Sequence, residues 1–336
     1  MMAERFFEQE KNMKKYRILS LAVITLFVLS GICIAGKNKK DRADMRVPVM
    51  TAVPSGTFSM GQVFPNGLRL GFPVHEVTLT RDFEIGKYEV TNEEFCSILN
   101  YALDKKYLSG DYKHNITVMN REGSSEELLD MNGAYKGIRC AIRYEGKKFV
   151  VEEGQERRPV VYVSWCGAAF YCNMLSEFEG LEKLYDLTDW SCRTYAGKGY
   201  RLPTESEWEY CARYDDGRIF PWGNQYDDSL LNYNLNTGHT TDVGSYENGK
   251  SKLGLYDMAG NAEEWVNDWY GSYTPEPKTD PAGIADGVYK EKRGGSWYRD
   301  DNNFACAAYR YDTNYIYTSF FDIGFRVVRT GQPGKE

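Results

Sequence analysis

The chain has 336 residues and a formal net charge of −7, with 42% hydrophobic and 15% aromatic residues. This length suits one large domain or two small ones, and the hydrophobic fraction is sufficient for a folded core. The acidic balance argues against a nucleic-acid partner, because no stripe of Lys and Arg is present to neutralise phosphates.

The N-terminal segment is typical of exported proteins. An apolar run over residues 18–35 follows three basic residues and precedes three lysines. A basic region before a short apolar run is the pattern of a signal peptide, and the run also approaches the ~20 residues of a membrane span. We predict that residues 1–36 are an export signal or membrane anchor and that residues 37–46 are a linker.

Three fates of this segment are compatible with its sequence. It resembles a bacterial lipoprotein signal, in which Leu29–Cys33 would be the lipobox and Cys33 the lipidated residue. Ile32 departs from that pattern, because a small residue usually precedes the cysteine. Cleavage after Ala35 and an uncleaved anchor are the alternatives. We favour the lipid anchor, which predicts a protein on the bacterial cell surface or outer membrane.

Short strands and capped helices are predicted in the body of the chain. Residues 55–61, 75–80 and 83–88 have the alternation or composition of strands, and a hairpin with strands 139–144 and 148–152 is predicted around the turn Glu145–Lys147. Capping boxes predict helices from Thr91 to about Leu99 and from Thr204 to Arg213. A third helix is predicted from Ser164 to Leu175, with an apolar stripe that faces the core.

The rest of the chain is rich in turns and shows no internal repeat or interdomain linker. Few helices, many short strands and long ordered loops predict a single α+β domain over residues 47–330, with a tail at 331–336.

The tract from Tyr298 to Ile323 is the most unusual part of the sequence. It contains five Tyr, three Phe, four Asp and three Asn, and it has no Lys, Glu, Gln, Met, Trp, Gly or Pro. Tyr provides rigid amphipathic contact area, while Ser, Asn and Asp provide adaptable hydrogen bonds. This composition favours a binding surface, with a pair of aromatic-rich core strands as the alternative.

Several motifs in order resemble the formylglycine-generating (sulfatase-modifying factor) family. They are GTFSMG at 56–61, GKYEVTN at 86–92, RPVVYVSW at 158–165, YRLPTESEWEY at 200–210, PWGN at 221–224, GLYDMAGNAEEW at 254–265, RGGSW at 293–297 and GFR at 324–326. The resemblance covers about residues 48–330. It implies a C-type lectin-like fold with short antiparallel strands and long ordered loops.

Copper-dependent oxidase activity is not expected despite this resemblance. Active members of the family have two cysteines soon after the Gly-Gly-Ser-aromatic motif, and thiolates of this kind suit Cu(I). Here Trp297 is followed by seven residues without a cysteine, and the nearby Cys306 matches a non-catalytic position. We therefore predict a protein that is not an enzyme and binds no copper.

The resemblance also implies a structural calcium ion. Its ligands would be the side chains of Asp257 and Glu264 and the backbone carbonyls of Gly260 and Ala262. Calcium prefers such oxygen ligands. The alternative is a surface loop with ordinary acidic residues.

The terminal tract also resembles the variable regions of proteins that retroelements diversify on a lectin-like scaffold. Every residue type in it can be encoded by a triplet ending in a pyrimidine, as expected when template adenines are mutated. This implies a variable region at 298–322, held by a framework of Trp297, Arg310, Gly324, Phe325 and Arg326. The ligand-binding side chains, predicted to point outward, are Tyr298, Arg299, Asp300, Asp301, Asn303, Phe304, Tyr309, Tyr311, Asp312, Tyr315, Tyr317, Phe320 and Phe321.

The sequence therefore predicts a surface-displayed, non-catalytic binding protein. Its partner would be a variable protein or another cell-surface ligand, and nothing in the sequence demands more than a monomer. Two alternatives stay open: a formylglycine-generating or related oxidase, and an inactive structural protein of the cell envelope.

Overall fold

The computed structural model describes residues 44–63, 69–300, 305–310 and 313–330. The chain divides into two compact units, residues 1–45 and 46–336. The predicted export segment and Cys33 lie outside the described residues. Within the ranges described, no helix is long and apolar enough to cross a membrane.

The second unit combines α-helices with many short strands. Its helices are α1 (Asn92–Asp104), α2 (Trp165–Glu179) and α3 (Glu205–Arg213). Its strands are β1 (Met50–Val53), β2 (Gly56–Val63), β3 (Arg69–Leu79), β4 (Phe83–Gly86), β5 (Leu108–Ser109), β6 (Thr117–Asn120), β7 (Glu127–Asp130), β8 (Ala134–Tyr135), β9 (Ile138–Arg139), β10 (Ile142–Glu145), β11 (Lys148–Val151), β12 (Tyr200–Arg201), β13 (Glu263–Trp269), β14 (Lys278–Thr279), β15 (Lys290–Arg293), β16 (Thr313–Asn314), β17 (Ile323–Phe325) and β18 (Val328–Thr330). This composition confirms the predicted α+β class.

The three helices begin at the predicted caps. Thr91 Oγ1 accepts a hydrogen bond from the backbone N–H of Glu94 at 3.3 Å, and the Glu94 carboxylate accepts one from the N–H of Thr91 at 2.8 Å. The same reciprocal box opens α3 at Thr204, and Ser164 caps α2. Helix α1 continues to Asp104, beyond its predicted end, because the next turn adds a fully buried Ala102 to its core-facing side.

The predicted hairpin forms β10 and β11, joined by the two-residue turn Gly146–Lys147. Both turn residues have a positive φ, 56° and 70°, which matches the twist of the strands on either side. The first strand starts at Ile142, later than predicted, because residues 138–139 pair with β8 in a separate two-stranded sheet.

Two four-stranded sheets organise the second unit. One has the order β1-β4-β18-β12 and joins the beginning of the unit to its end. The other has the order β16-β15-β13-β17 and contains both ends of the terminal tract. Helix α3 packs between this second sheet and β2, in a core that includes Phe58, Trp208 and Val266.

Candidate ligand-binding site

The terminal tract leaves one sheet and returns to it. Strand β15, just before the tract, pairs antiparallel with β13, and β17, which begins at the end of the tract, pairs parallel with β13. In between, β16 pairs with β15 through Lys290–Asn314 and Glu291–Thr313. The tract is therefore fixed at both ends and once along its length.

Buried side chains hold the backbone of the tract, as the framework prediction requires. Trp297, Phe325 and Arg326 are buried. Arg310 Nε lies 2.5 Å from Glu205 Oε1, and its Nη2 lies 3.0 Å from Glu291 Oε2. Ion pairs buried from solvent persist only when their charges are matched, so Arg310 has a structural role here.

Three aromatic side chains of the tract project into solvent. Tyr315, Tyr317 and Phe320 are 42%, 51% and 43% exposed. The rings of Tyr315 and Tyr317 stack, with centroids 5.2 Å apart and planes 4° apart. Tyr289 extends this row, because its ring lies 4.9 Å from that of Tyr315. Exposed aromatic rings in such a group are typical of an interaction site.

The backbone beneath these rings is hydrogen-bonded to the rest of the domain. Phe320 O accepts from the N–H of Tyr162 at 2.7 Å, and Ile316 O accepts from the N–H of Cys166 at 3.1 Å. Cys166 lies in the first turn of α2, where backbone N–H groups lack partners within the helix. The exposed rings therefore stand on an anchored backbone.

A second group of aromatic residues surrounds Phe321. Its ring stacks on that of Tyr135 at 4.2 Å and contacts the ring of Tyr298 edge-on at 5.0 Å. Phe321 is only 8% exposed, so the prediction that it points outward is wrong. The hairpin of β8 and β9 covers it, because Tyr135 supplies an apolar face of matching shape.

Tyr298 lies at the edge of this second group. Its hydroxyl is 2.9 Å from that of Tyr135 and accepts a hydrogen bond from Lys136 Nζ at 3.1 Å. The Lys136 ammonium also lies over both rings, 5.3 Å and 5.1 Å from their centroids. A cation over aromatic faces is favourable, so a side chain from outside the tract fixes Tyr298.

The remaining predicted residues differ in exposure. Asp300 is exposed, and Arg299 and Tyr309 are half-buried. Arg299 Nη2 lies 3.2 Å from Glu263 Oε2, and Tyr309 packs against a small apolar cluster. The other predicted residues lie outside the described residues: Asp301, Asn303, Phe304, Tyr311 and Asp312.

Three residues of this surface were not predicted from the sequence. Tyr289 precedes β15, and Tyr135 and Lys136 belong to a hairpin distant in sequence. Only the pairing of β16 with β15 and the stacking on Phe321 place them beside the tract. No local pattern signals such contacts.

One of the predicted calcium ligands, Glu264, pairs with an arginine. Glu264 Oε2 accepts from Arg326 Nε at 2.7 Å and from Trp208 Nε1 at 2.9 Å, and its Oε1 accepts from Arg326 Nη2 at 2.6 Å. Asp257 Oδ2 accepts from the N–H of Gly244 at 2.7 Å. The guanidinium already supplies the positive charge that Glu264 needs. Glu264 is thus engaged by Arg326 and Trp208, and the calcium site stays a prediction.

A third carboxylate, Glu89, lies in the same buried region. It accepts hydrogen bonds from Asn261 Nδ2 and from the N–H of Ala262, at 2.6 and 2.8 Å. Burial and the neighbouring Asp257 and Glu264 raise the pKa of Glu89 well above its usual range. Protonation offers such a carboxyl group a way to remain buried. In the part of the chain that the structure describes, no group of three or more His, Cys, Asp and Glu could hold a metal ion.

Seven cysteines lie among the described residues, and six of them are buried. Cys306, which lies within the tract, is buried. Burial raises the pKa of Cys140, Cys96 and Cys211, which keeps these thiols protonated and unreactive. The buried cysteines therefore behave as small apolar core residues, and Cys192 is half-buried.

Comparison with known proteins identifies relatives over most of the chain. Residues 35–331 match the model of the FGE-sulfatase family, the sulfatase-modifying factor enzyme 1-like domain. The formylglycine-generating enzyme of Streptomyces coelicolor is 29% identical over 327 residues, which cover 87% of this chain and 90% of that enzyme. Inactive C-alpha-formylglycine-generating enzyme 2 of Bos taurus is 28% identical, over 74% of this chain and 76% of that protein.

One group of relatives is much longer than the region they share with this chain. Serine/threonine-protein kinase pkn1 of Chlamydia pneumoniae is 29% identical over 296 residues, which cover 86% of this chain. That region is 40% of the kinase, and the matches to two other chlamydial kinases of this name cover 34% of each. The chain thus spans two fifths or less of these relatives.

Solved structures share the same fold. Treponema denticola variable protein 1 has a TM-score of 0.62 and 25% identity, over 84% of this chain and 95% of that one. The crystal structure of CarF has a TM-score of 0.59 and 25% identity, over 85% of this chain and 99% of that one.

Proposed function

The chain belongs to the sulfatase-modifying factor enzyme 1-like family, and we propose that it is a non-catalytic member that binds ligands through its terminal tract. The observation that carries this proposal is the exposure of the Tyr315, Tyr317 and Phe320 rings on an anchored backbone. A few such aromatic anchors usually dominate the binding energy of an interface. The structural relative named a variable protein supports the same function.

The absence of catalysis is proposed from the cysteines. No cysteine occurs between Trp297 and Cys306, and Cys306 is buried. Reactive cysteines are thiolates in accessible, electropositive surroundings. The inactive paralogue among the relatives shows that members without the activity exist.

The binding surface combines variable and constant residues in this proposal. The tract supplies Tyr298, Tyr315, Tyr317 and Phe320, while Tyr289 and Lys136 lie outside it. Because the tract is aromatic and acidic, a basic or hydroxyl-rich protein or glycan surface is the favoured ligand.

The proposal is tested with full-length chains that differ only in the tract. One variant combines Tyr315→Ser, Tyr317→Ser and Phe320→Ser, and its control combines Val49→Ser and Ile116→Ser at exposed apolar sites outside the tract. Each chain is incubated with intact bacterial and host cells, and cell-bound protein is measured. Loss of binding is expected for the tract variant alone. Equal binding by all three chains would refute the proposal.

Diversification of the tract is a separate part of the proposal. We expect closely related genes to differ at the codons for 298–322 and to agree elsewhere, with a near-copy of these codons beside a reverse-transcriptase gene. Differences spread evenly along the gene would argue against it.

Surface display is proposed through a lipid on Cys33. Labelling with palmitate and sensitivity of processing to globomycin measure this modification directly. Cys33→Ala is expected to abolish both, and a variant that retained the label would exclude Cys33 as the lipidated residue.

The alternative oxidase function rests on the relatives that are formylglycine-generating enzymes. A copper-loaded sample incubated with a cysteine-containing sulfatase peptide tests it. Turnover that disappears in Cys306→Ser would replace our proposal with this one.

A further inference from the structure

A cavity of about 340 Å³ lies at the start of α3 and the end of β13. Its wall is formed by the start of α3, the end of β13, the segment 271–284 and Arg310. Tyr315, Tyr317 and Phe320 do not line it. Its volume is within the range of small-molecule sites. The cavity is therefore a second candidate site, separate from the binding surface proposed above.

One carboxylate in the cavity is already neutralised. Glu205 Oε1 lies 2.8 Å from Arg293 Nη1 and 2.5 Å from Arg310 Nε. Arg310 is also paired with Glu291, at 3.0 Å. These groups balance one another, and Lys278 is a further cation in the cavity wall.

Asp268, unlike Glu205, is not paired with any described arginine. It is 4% exposed, and its Oδ2 accepts a hydrogen bond from the N–H of Glu205 at 2.9 Å. Within the described ranges, Oδ1 has no hydrogen-bond partner. Burial and the nearby Glu205 raise the pKa of Asp268 to about 7. A buried carboxylate is costly unless it is paired, so this oxygen is suited to a cationic donor.

The approach to Asp268 is open because residue 283 is a glycine. A Cβ atom at Gly283 would lie 3.1 Å from Asp268 Oδ1 and 2.9 Å from its Cβ. The other walls are largely apolar, formed by Met60, Trp269 and Ile284. The ring of Tyr273 also lines the cavity, and its buried hydroxyl has no hydrogen-bond partner among the residues described.

We propose that this cavity binds a small molecule with a protonated amine on an apolar body, and that the amine donates to Asp268 Oδ1. A charge-assisted hydrogen bond would satisfy the carboxylate, and the apolar body would lie against Trp269 and Ile284, which are adjacent in an antiparallel β-bridge. An anion would be repelled by the negative charge of Asp268. A neutral molecule would leave that charge unpaired.

The probes are 2-phenylethylamine, its neutral analogue 2-phenylethanol and its acidic analogue 3-phenylpropionate. Binding to the full-length protein is measured at pH 8 by calorimetry and by the fluorescence of tryptophan. We expect saturable binding of the amine and at least about tenfold weaker binding of both analogues. Equal affinity for the amine and the alcohol, or no saturable binding of the amine, would overturn the proposal.

Two variants locate the site. Asp268→Asn keeps an acceptor for the N–H of Glu205 but removes the charge, and it should weaken amine binding by about tenfold or more. Ile284→Trp, at an exposed position on the cavity wall, should block it sterically, whereas Val288→Trp, exposed outside the cavity, should not.

If Asp268→Asn misfolds, Ile284→Trp still tests the site, because it does not alter the buried charges. Unchanged amine affinity in a folded Asp268→Asn or Ile284→Trp variant would refute the proposal. The serine variant of the aromatic row should bind the amine normally, so failure of one proposal is separate from failure of the other.

Discussion

Phe321 stacks on Tyr135 with ring centroids 4.2 Å apart and planes 13° apart. The tract therefore contains an aromatic residue that belongs to the core as well as others that face solvent. Substitution of one core-facing and one solvent-facing aromatic residue of the tract therefore separates structural roles from binding roles.

Phe321→Ala should destabilise the fold, whereas Tyr317→Ala should not. Removal of a buried Phe side chain leaves a cavity and costs about 3 kcal/mol or more. An exposed substitution usually changes the free energy of unfolding by no more than about 0.5 kcal/mol. Urea unfolding of both variants measures the difference. A similar loss in both would show that Tyr317 is also a packing residue.

Glu264→Gln should be strongly destabilising, because it leaves the buried Arg326 guanidinium without its counter-charge. Loss of one partner of a buried ion pair costs about 3–5 kcal/mol. The control is Lys252→Gln, in an exposed pair with Asp215, which should change the free energy of unfolding by less than about 1 kcal/mol. Equal effects on the denaturation midpoint would contradict this account.

Chelation of divalent metals should leave the stability unchanged. Arg326 supplies the positive charge at the predicted calcium ligands, so no ion is needed there. The melting temperature in EDTA and in excess calcium is the measurement, with Glu264→Gln as a comparison. A decrease of the melting temperature in EDTA that calcium reverses would support the calcium site.

Asp268 should make stability fall as the pH rises. Burial raises its pKa from 3.8 to about 7, so the folded protein retains a proton that the unfolded chain releases. The contribution of Asp268 to stability is therefore largest below about pH 4, decreases up to about pH 7 and then levels off, by a few kcal/mol at most. The charged groups that influence Asp268 are Glu205, Glu207 and Lys290.

Asp268→Asn should remove this dependence. At pH 4 the two proteins should have similar unfolding free energies, and by pH 8 the variant should be the more stable. Urea unfolding at several pH values measures the difference, and parallel curves for the two proteins would rule out the raised pKa.

Local signals predicted the helices well. The side chains of Thr91, Ser164 and Thr204 each accept a hydrogen bond from the backbone N–H three residues later, so each helix start can be predicted from a few residues. The ends depend on tertiary burial. Helix α1 extends to Asp104 because Ala102 packs in the core, and no cap residue in the sequence predicts this end.

The surface of the tract was harder to predict, because exposure depends on neighbours distant in sequence. Phe320 and Phe321 are adjacent and identical, yet one is exposed and the other is covered by Tyr135. The role of Asp268 was not predicted either. Its significance arises from Gly283 and Glu205, which only the fold places beside it.

The pairing of β13 with both β15 and β17 has a consequence for how sequence change is tolerated. Strands β15 and β17 lie on either side of residues 294–322 and outside the proposed variable region. The entropy lost in closing such a loop depends on its length and hardly on the identity of its side chains. The entropic cost of closing this segment would thus be the same for sequences of equal length, so the proposed variation of its solvent-facing residues would not add to it.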